Sequence, residues 1–146
     1  MEFSLNRFVV KQEKYHKIAL KELKNGRKES HWMWFIFPQI AGLGTSEAAI
    51  YYSIKNYEEA VEYFSNDYLR ENYLELCEVL LNLKTDNARV VFGSIDYMKL
   101  HSSLTLFYLV SKHEIVNLVL KKYYNSVLDV NTLEILGTLT CANLQI

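Results

Sequence analysis

Apolar residues recur at intervals of three and four positions along most of this chain, the spacing that places them on one face of an α-helix. The first stripe predicts a helix from about Leu5 to Asn25, which Gly26 can end. The most regular stripe predicts a helix that Asp67 caps and that runs to about Leu83. Its apolar positions are Leu69, Tyr73, Leu76, Cys77, Leu80 and Leu83.

Polar residues that can cap a helix precede the other apolar stripes. Asn56 and Asn131 are each followed three positions later by a glutamate, which is the spacing of a capping box. The further predicted elements are a short helix from Ser46 through Ile54, a helix from Asn56 to about Phe64, a turn of helix from Asp86 that Gly93 closes, a helix that Ser94 caps and that ends near Ser111, a helix from Glu114 to Tyr124, and a last element from Asn131 that Gly137 ends.

The apolar run from Trp32 to Phe37 fits either a buried strand or a buried turn of helix. We favour a helical or irregular buried segment, because no second strand is evident to pair with it. One proline and five glycines in 146 residues leave few helix breakers. The sequence therefore predicts an all-α fold, a compact multihelical single domain over residues 1–146 with a buried aromatic segment.

The net charge is only −1, but the charges are unevenly distributed. Residues 1–30 carry eight Lys or Arg against four acids, whereas residues 44–78 carry eight acids against two basic residues. Two solvated helix faces are the simplest explanation. The sharper alternatives are a basic rim that attracts a phosphate-bearing ligand and an acidic face that binds a protein partner. The near-neutral total argues against nucleic acid as a partner.

Cysteine usage and the start of the sequence indicate a compartment. Cys77 and Cys141 form neither a disulfide framework nor a zinc motif. The first residues lack the apolar core of a signal peptide, and no apolar run approaches the roughly 20 residues of a membrane span. We therefore expect a cytoplasmic protein without membrane partners.

Four aromatic residues fall within six positions in the segment 26–39. The indole rings of Trp32 and Trp34 can stack on a planar ligand, and they would share a face only in an extended segment. The polar residues beside them that can bind a ligand are Lys28, Ser30, His31 and Gln39. Core packing is the competing explanation for the rings, and a structural role is the competing one for His31.

A glycine-rich stretch contains Gly42, Gly44 and Ser46 just before a predicted helix. Glycines let backbone N–H groups approach a ligand, and a helix N-terminus attracts anions. The spacing matches neither a phosphate-binding P-loop nor a dinucleotide fingerprint. A plain loop with Ser46 as a helix cap is the alternative.

The helix predicted after Ser94 carries a second group of polar residues. Lys99, Ser102 and Ser103 share one helical face, Asp96 lies one turn earlier, and Thr105 follows. Hydroxyl side chains are poor helix formers unless a polar partner or the backbone accepts them. The group is either a surface ion pair with small residues for close packing or a set of contacts to phosphate and ribose.

The residue patterns indicate no activated nucleophile, no cofactor and no metal. A nucleophile elbow of the form G-x-S-x-G is missing, and the four histidines and scattered acids show no metal-ligand spacing. Whether the protein is an enzyme is left open. If it is, His31 and Asp96 are the candidate acid–base residues, acting in hydrolysis or group transfer.

Two blocks of this sequence resemble one known family. The first joins Gly26-Arg27-Lys28, Ser30–Gln39, Gly42-Leu43-Gly44 and Ser46, and the second joins Phe92-Gly93, Asp96, Lys99-Leu100, Ser102-Ser103 and Thr105-Leu106-Phe107. Further matches lie at Tyr51, Ala60, Tyr63, Asp129 and Thr132-Leu133. The pattern is similar to the domain-of-unknown-function 1810 family over about residues 5–136, with Leu104 where methionine is common. The resemblance implies a compact all-helical fold and no established activity.

These segments together lead us to expect a pocket for a phosphorylated, ring-bearing small molecule, such as a nucleotide or an ADP-ribose derivative. The expected roles are base stacking by Trp32 or Trp34, phosphate binding by Lys28, Lys99 and the Gly44–Ser46 backbone, and sugar binding by Ser102, Ser103 and Gln39. The alternative function is a protein-interaction or regulatory module that uses the acidic face of residues 44–78.

Overall fold

Helices account for most of residues 4–137, the part of the chain that this computed structural model describes. In that part the helices are α1 (Asn6–Lys24), α2 (Met33–Ile36), α3 (Glu47–Tyr51), α4 (Tyr57–Ser65), α5 (Asp67–Asn82), α6 (Ala88–Ser111), α7 (Glu114–Tyr124) and α8 (Val130–Ile135). Residues 4–137 contain no strand, and one isolated parallel bridge joins Ile40 to Ile54. The predicted all-α fold is confirmed.

Three long helices surround an aromatic core. Helix α5 packs against α1, α4 and α7, whereas α6 packs against α4, α7 and α8, and the short α2 lies on α1. The largest fully buried side chains include Trp32, Tyr63, Tyr73, Phe8, Phe37 and Phe107. Several of these rings meet edge to face, an arrangement that aromatic pairs favour. The high aromatic content is therefore mostly core. Within residues 4–137, none of the helices is both long and apolar enough to cross a membrane.

Several helix bounds agree with the sequence pattern. Helix α1 begins and ends within one residue of its predicted limits, and α7 has the predicted limits. The side chain of Asn56 caps α4 by accepting the N–H of Glu59 at 2.9 Å. These helices could be predicted because their apolar stripes, and the cap of α4, lie within a single stretch of sequence.

Three predicted caps, those of α5, α6 and α8, are wrong by one or two residues. Helix α5 is capped by Asn66, whose side chain accepts the N–H of Leu69 at 3.0 Å, so Asp67 is already helical. Helix α8 is capped by Asp129, which accepts the N–H of Thr132 at 3.1 Å, and Asn131 lies inside the helix. Asparagine and aspartate are about equally good caps, so neighbouring candidates cannot be ranked from sequence.

Helix α3 is shorter than predicted and ends at Tyr51 instead of continuing through Ile54. The N–H of Ile54 donates to the Gln39 carbonyl at 2.7 Å, and the Ile54 carbonyl accepts the N–H of Ala41 at 2.8 Å. This bridge to the loop after α2 takes the backbone groups that a longer helix would need.

Helix α6 consists of two helical parts that meet at a kink, as the two predicted elements do. The first part is capped by Asn87 rather than Asp86, and the second part ends at Ser111 as predicted. Gly93 interrupts the helical backbone between them, with φ 87° and ψ 170°. A positive φ of this size favours glycine, which explains why the break occurs there.

The acidic segment 44–78 is not entirely a surface feature. Glu59 is fully buried and binds Arg7 through two contacts of 2.9 Å, one to each carboxylate oxygen. The Arg7 side chain is only 7% exposed. One acid of the segment and one base of α1 therefore serve to join α1 to α4.

Candidate functional site

A cavity of about 400 Å³ lies where the loop before α2 meets the break in α6. The polar side chains that line it are Lys28, His31, Ser94, Asp96 and Lys99. The apolar lining consists of Met33, Trp34, Phe92 and Ile95, next to Gly93. The fold thus brings parts of two candidate segments, separated by about sixty residues of sequence, into one concave surface.

Asp96 lies between the two lysines of the cavity. One carboxylate oxygen is 2.9 Å from Lys28 Nζ, and the other is 3.5 Å from Lys99 Nζ. Lys28 also donates to the Ser30 carbonyl at 2.6 Å, and its side chain is 8% exposed, against 25% for Lys99. Lys28 is therefore committed to internal contacts, whereas Lys99 is the lysine better placed to meet a ligand.

The two tryptophans have different roles, because the turn of helix α2 directs them apart. Trp32 is fully buried and packs edge to face against Phe92 at 6.4 Å. Trp34 is partly exposed in the cavity wall, with Lys99 Nζ 5.1 Å from its ring centre. Trp34 is therefore the indole on which a ligand can stack.

The break at Gly93 shapes one side of the cavity. Gly93, Ser94 and Ile95 form the lining where the second part of α6 begins. Backbone N–H groups at the start of a helical segment carry a partial positive charge. The break therefore adds to the positive potential that the two lysines provide.

Glu22 organises the loop that carries Lys28 and His31, and the sequence patterns did not single it out. One of its oxygens accepts the N–H of Glu29 at 2.8 Å, the N–H of Ser30 at 2.9 Å and the indole N–H of Trp32 at 2.9 Å. The other accepts the Ser30 hydroxyl. Burial alone would raise the pKa of Glu22, but these hydrogen bonds outweigh it and lower the pKa from 4.5 to about 2.

One sequence signal could have identified Glu22. It is an acid in the C-terminal part of α1, next to Lys21 and Lys24, where the helix dipole disfavours negative charge. An acid at such a position suggests a specific partner beyond the helix.

The sequence of this chain matches the family described as "Protein of unknown function (DUF1810)" over residues 2–136. The chain belongs to this family. A solved structure, that of the conserved hypothetical protein Rv1873 from Mycobacterium tuberculosis, is similar to it, with 37% sequence identity and a TM-score of 0.90. The similarity covers 92% of this chain and 97% of that one. No curated protein has significant sequence similarity to the chain.

Three hydroxyl residues of the second DUF1810 block lie away from the cavity lining. Ser102 donates to the Asp129 carboxylate at 2.8 Å, and Thr105 accepts the N–H of Asp129 at 2.9 Å. Ser103 is hydrogen-bonded to the hydroxyl of Tyr73 at 2.8 Å. All three are buried, so they join α6 to α5 and to the start of α8 rather than line the cavity.

The glycine-rich stretch of the first DUF1810 block also lies elsewhere. A Cβ atom at Gly44 would be 2.5 Å from the Ala49 Cβ, and one at Gly42 would be 3.2 Å from the Ile135 side chain. Ser46 caps α3 by accepting the N–H of Ala49 at 3.1 Å. Close packing at the two glycines, the positive φ of 106° at Gly42 and the capping of α3 by Ser46 give these residues structural roles.

The remaining candidates border the site without lining it. Ser30 holds Glu22 with its hydroxyl and Lys28 with its carbonyl, so it supports the cavity wall. Gln39 is half-buried, and its carbonyl belongs to the bridge with Ile54. Among residues 4–137, no group of three His, Cys, Asp or Glu side chains is placed to hold a metal ion.

Proposed function

We propose that the cavity binds a phosphorylated, ring-bearing small molecule of about nucleotide size. The observation that carries the proposal is the presence of Trp34, Lys99 and Asp96 in one cavity of about 400 Å³. Ligand sites typically have volumes of about 300–1,000 Å³ and combine an apolar lining with a few convergent polar groups. This cavity has both properties.

The ring of the ligand would lie against Trp34, with Met33 and Phe92 behind it. Stacking of a base on an aromatic side chain contributes about 1–3 kcal/mol in nucleic-acid complexes. The partial exposure of Trp34 supports this assignment, because a ligand can cover the indole without moving the core.

The phosphate would bind Lys99, with Lys28 and the helical segment after Gly93 adding positive potential. Lys99 lies 3.5 Å from Asp96, a longer contact than that of Lys28, so its ammonium can turn to a ligand while Lys28 still neutralises the carboxylate. Charge-assisted hydrogen bonds to phosphate are about twice as strong as neutral ones. Asp96 could then accept a hydrogen bond from a ribose hydroxyl.

His31 is the candidate acid–base residue if the bound molecule is hydrolysed or transferred. It is an exposed residue of the same cavity as Lys99, and histidine is the side chain that most often acts as a general acid or base. Asp96 is held by two ammonium groups and is better suited to binding. Turnover would be tested by incubating each binding ligand with the wild type and with His31→Ala and measuring the products.

Calorimetry with AMP, ADP, ADP-ribose, adenosine and inorganic phosphate tests the proposal. We expect a phosphorylated, ring-bearing member to bind more tightly than adenosine or phosphate. Lys99→Ala should weaken that binding about tenfold to a hundredfold, the loss expected for one charged hydrogen bond. Lys17→Ala, at an exposed position of α1, is the matched control. Absence of binding by every compound, or equal losses in the two variants, would contradict the proposal.

One observation favours a second candidate, a protein-interaction module. Glu71, Glu75 and Glu78 are exposed at helical spacing on α5, and Tyr68 is 40% exposed one turn before them. An acidic face with an exposed tyrosine suits a basic peptide. Binding of a Lys-rich and Arg-rich peptide that Glu71→Lys abolishes, while no nucleotide binds, would favour this function.

A further inference from the structure

We propose that Glu22 is the positioning residue of the cavity and that its carboxylate holds the loop 27–32 in the conformation that forms the cavity wall. The effect of Glu22 on ligand binding rests on the proposed function. The positioning itself can be tested without any ligand.

The contacts of Glu22 reach across the whole loop. From α1, its carboxylate accepts hydrogen bonds from Glu29, Ser30 and Trp32. Without the carboxylate, the N–H of the half-buried Ser30 and the indole N–H of the buried Trp32 lose their acceptor, whereas water can replace it at the exposed Glu29. Unsatisfied buried donors are costly, so the loop would have to rearrange around Ser30 and Trp32.

The rearrangement would reach the charged residues of the cavity through Ser30 and Lys28. The Ser30 carbonyl accepts a hydrogen bond from Lys28 Nζ, which also contacts Asp96. The N–H of Lys28 donates to the Val91 carbonyl at 2.8 Å, which fixes the loop against α6. Glu22 thus acts on the cavity through Lys28 and does not line it.

The reactivity of Lys28 provides a direct test. Its side chain is 8% exposed and its ammonium is held by two partners, so an amine-acetylating reagent should modify it slowly in the folded wild type. In Glu22→Ala we expect Lys28 to react about tenfold faster, as in local opening, while the exposed Lys17 reacts at an unchanged rate. Mass spectrometry of the peptides gives both rates in one sample.

Two further variants separate positioning from loss of stability or charge. In Glu22→Gln the amide oxygen can accept the same N–H groups, and the amide nitrogen can donate to the Ser30 hydroxyl. The acetylation of Lys28 should therefore remain slow. Glu13→Ala removes an exposed acid from the same helix and should change nothing. If Glu22→Ala does not fold, Ser30→Ala can replace it, because it removes one of the contacts to Glu22. The acetylation of Lys28 should still be measurably faster in this variant.

An unchanged rate at Lys28 in both Glu22→Ala and Ser30→Ala would overturn the proposal, as would acceleration of all lysines together. With AMP or another ligand found by calorimetry, Glu22→Ala should weaken binding, whereas Glu22→Gln should retain it or strengthen it by removing a negative charge. If the wild type binds no nucleotide, the proposed function fails, and the Lys28 rates still decide the role of Glu22.

Discussion

Trp32 and Trp34 stand two positions apart and have opposite environments. Trp32 is fully buried, and its indole N–H is held by Glu22. Trp34 is partly exposed beside Lys99. Because the chain is helical at this point, the side chains of two residues that are two positions apart point in different directions. One ring therefore belongs to the core and the other to the cavity.

The two tryptophans should therefore respond differently to truncation. Trp32→Ala should reduce the free energy of unfolding by about 3–5 kcal/mol, the usual cost of removing a large buried aromatic side chain. Trp34→Ala should reduce the free energy of unfolding by less than half of that amount. It should also weaken the binding of a ligand that stacks on the indole. Urea unfolding of both variants gives the comparison. Equal destabilisation would mean that Trp34 is a core ring as well.

Glu22 should make stability depend on acidic pH. Its pKa is lowered from 4.5 to about 2 in the folded chain, so it stabilises the fold fully above pH 4.5 and this contribution is lost as the pH falls towards 2. Glu22→Gln should flatten the decline of the melting temperature over this range, and Glu13→Gln should not. Parallel profiles for wild type and Glu22→Gln would show that the folded chain does not favour the charged form.

The buried pair of Arg7 and Glu59 should be costly to break from one side. Glu59→Ala leaves the buried guanidinium without its counter-charge, although it keeps the carbonyls of Ser4, Tyr51 and Ser53, and we expect a loss of about 3–5 kcal/mol in the free energy of unfolding. The double change Arg7→Met with Glu59→Leu should recover only part of this loss, because those carbonyls lose their donor. Denaturant titration measures both, and a loss below about 1 kcal/mol for Glu59→Ala would contradict this view of the pair.

Helix α6 depends on its break at Gly93 for the shape of the cavity. A Cβ atom there would meet no atom within 4 Å, so the cost of a substitution is the positive φ of 87° and not a clash. Gly93→Ala should destabilise the chain by about 1–3 kcal/mol, the cost of holding an L-residue in an extended backbone with positive φ, and should weaken ligand binding. Thermal unfolding measures the change in stability, and calorimetry measures the change in ligand affinity. A stabilised variant with unchanged affinity would mean that a regular helix serves the site equally well.

The elements differ in how far the sequence could predict them. The apolar stripes of α1, α4 and α7 and the Asn56 cap of α4 are local, and the sequence predicts them, whereas the His113 cap of α7 was not predicted. The end of α3 depends on the bridge from Ile54 to Ile40. Such contacts are non-local, so no window of sequence contains them.

The distinction between local patterns and non-local contacts also applies to the candidate site. Lys28, His31, Trp34, Asp96 and Lys99 were selected as polar or aromatic residues without an evident structural use, and they line one cavity. The hydroxyl residues were selected for the same reason, but their partners Tyr73 and Asp129 lie 24 to 30 positions away. A polar residue in a helix cannot be assigned to a ligand or to the core until its neighbours are known.

At the scale of the whole molecule, a group of basic residues and a group of acidic residues lie on different elements. Lys24 ends α1, and Arg27 and Lys28 follow in the loop that leads to the cavity, whereas most of the acids of segment 44–78 are on α4 and α5. This separation gives the two proposed functions different surfaces. An anionic ligand would be attracted to the first surface and repelled by the second.

Titration of the isotope-labelled protein with AMP, followed by two-dimensional NMR, tests the central claim most directly. We expect chemical-shift changes that saturate by about 1 mM ligand and are confined to the indole of Trp34 and to residues 28–34 and 92–99. The same titration of Lys99→Ala should need about tenfold more ligand or more. Shifts that cluster on α4 and α5, or no saturable shift with AMP, ADP or ADP-ribose, would contradict a nucleotide-binding cavity.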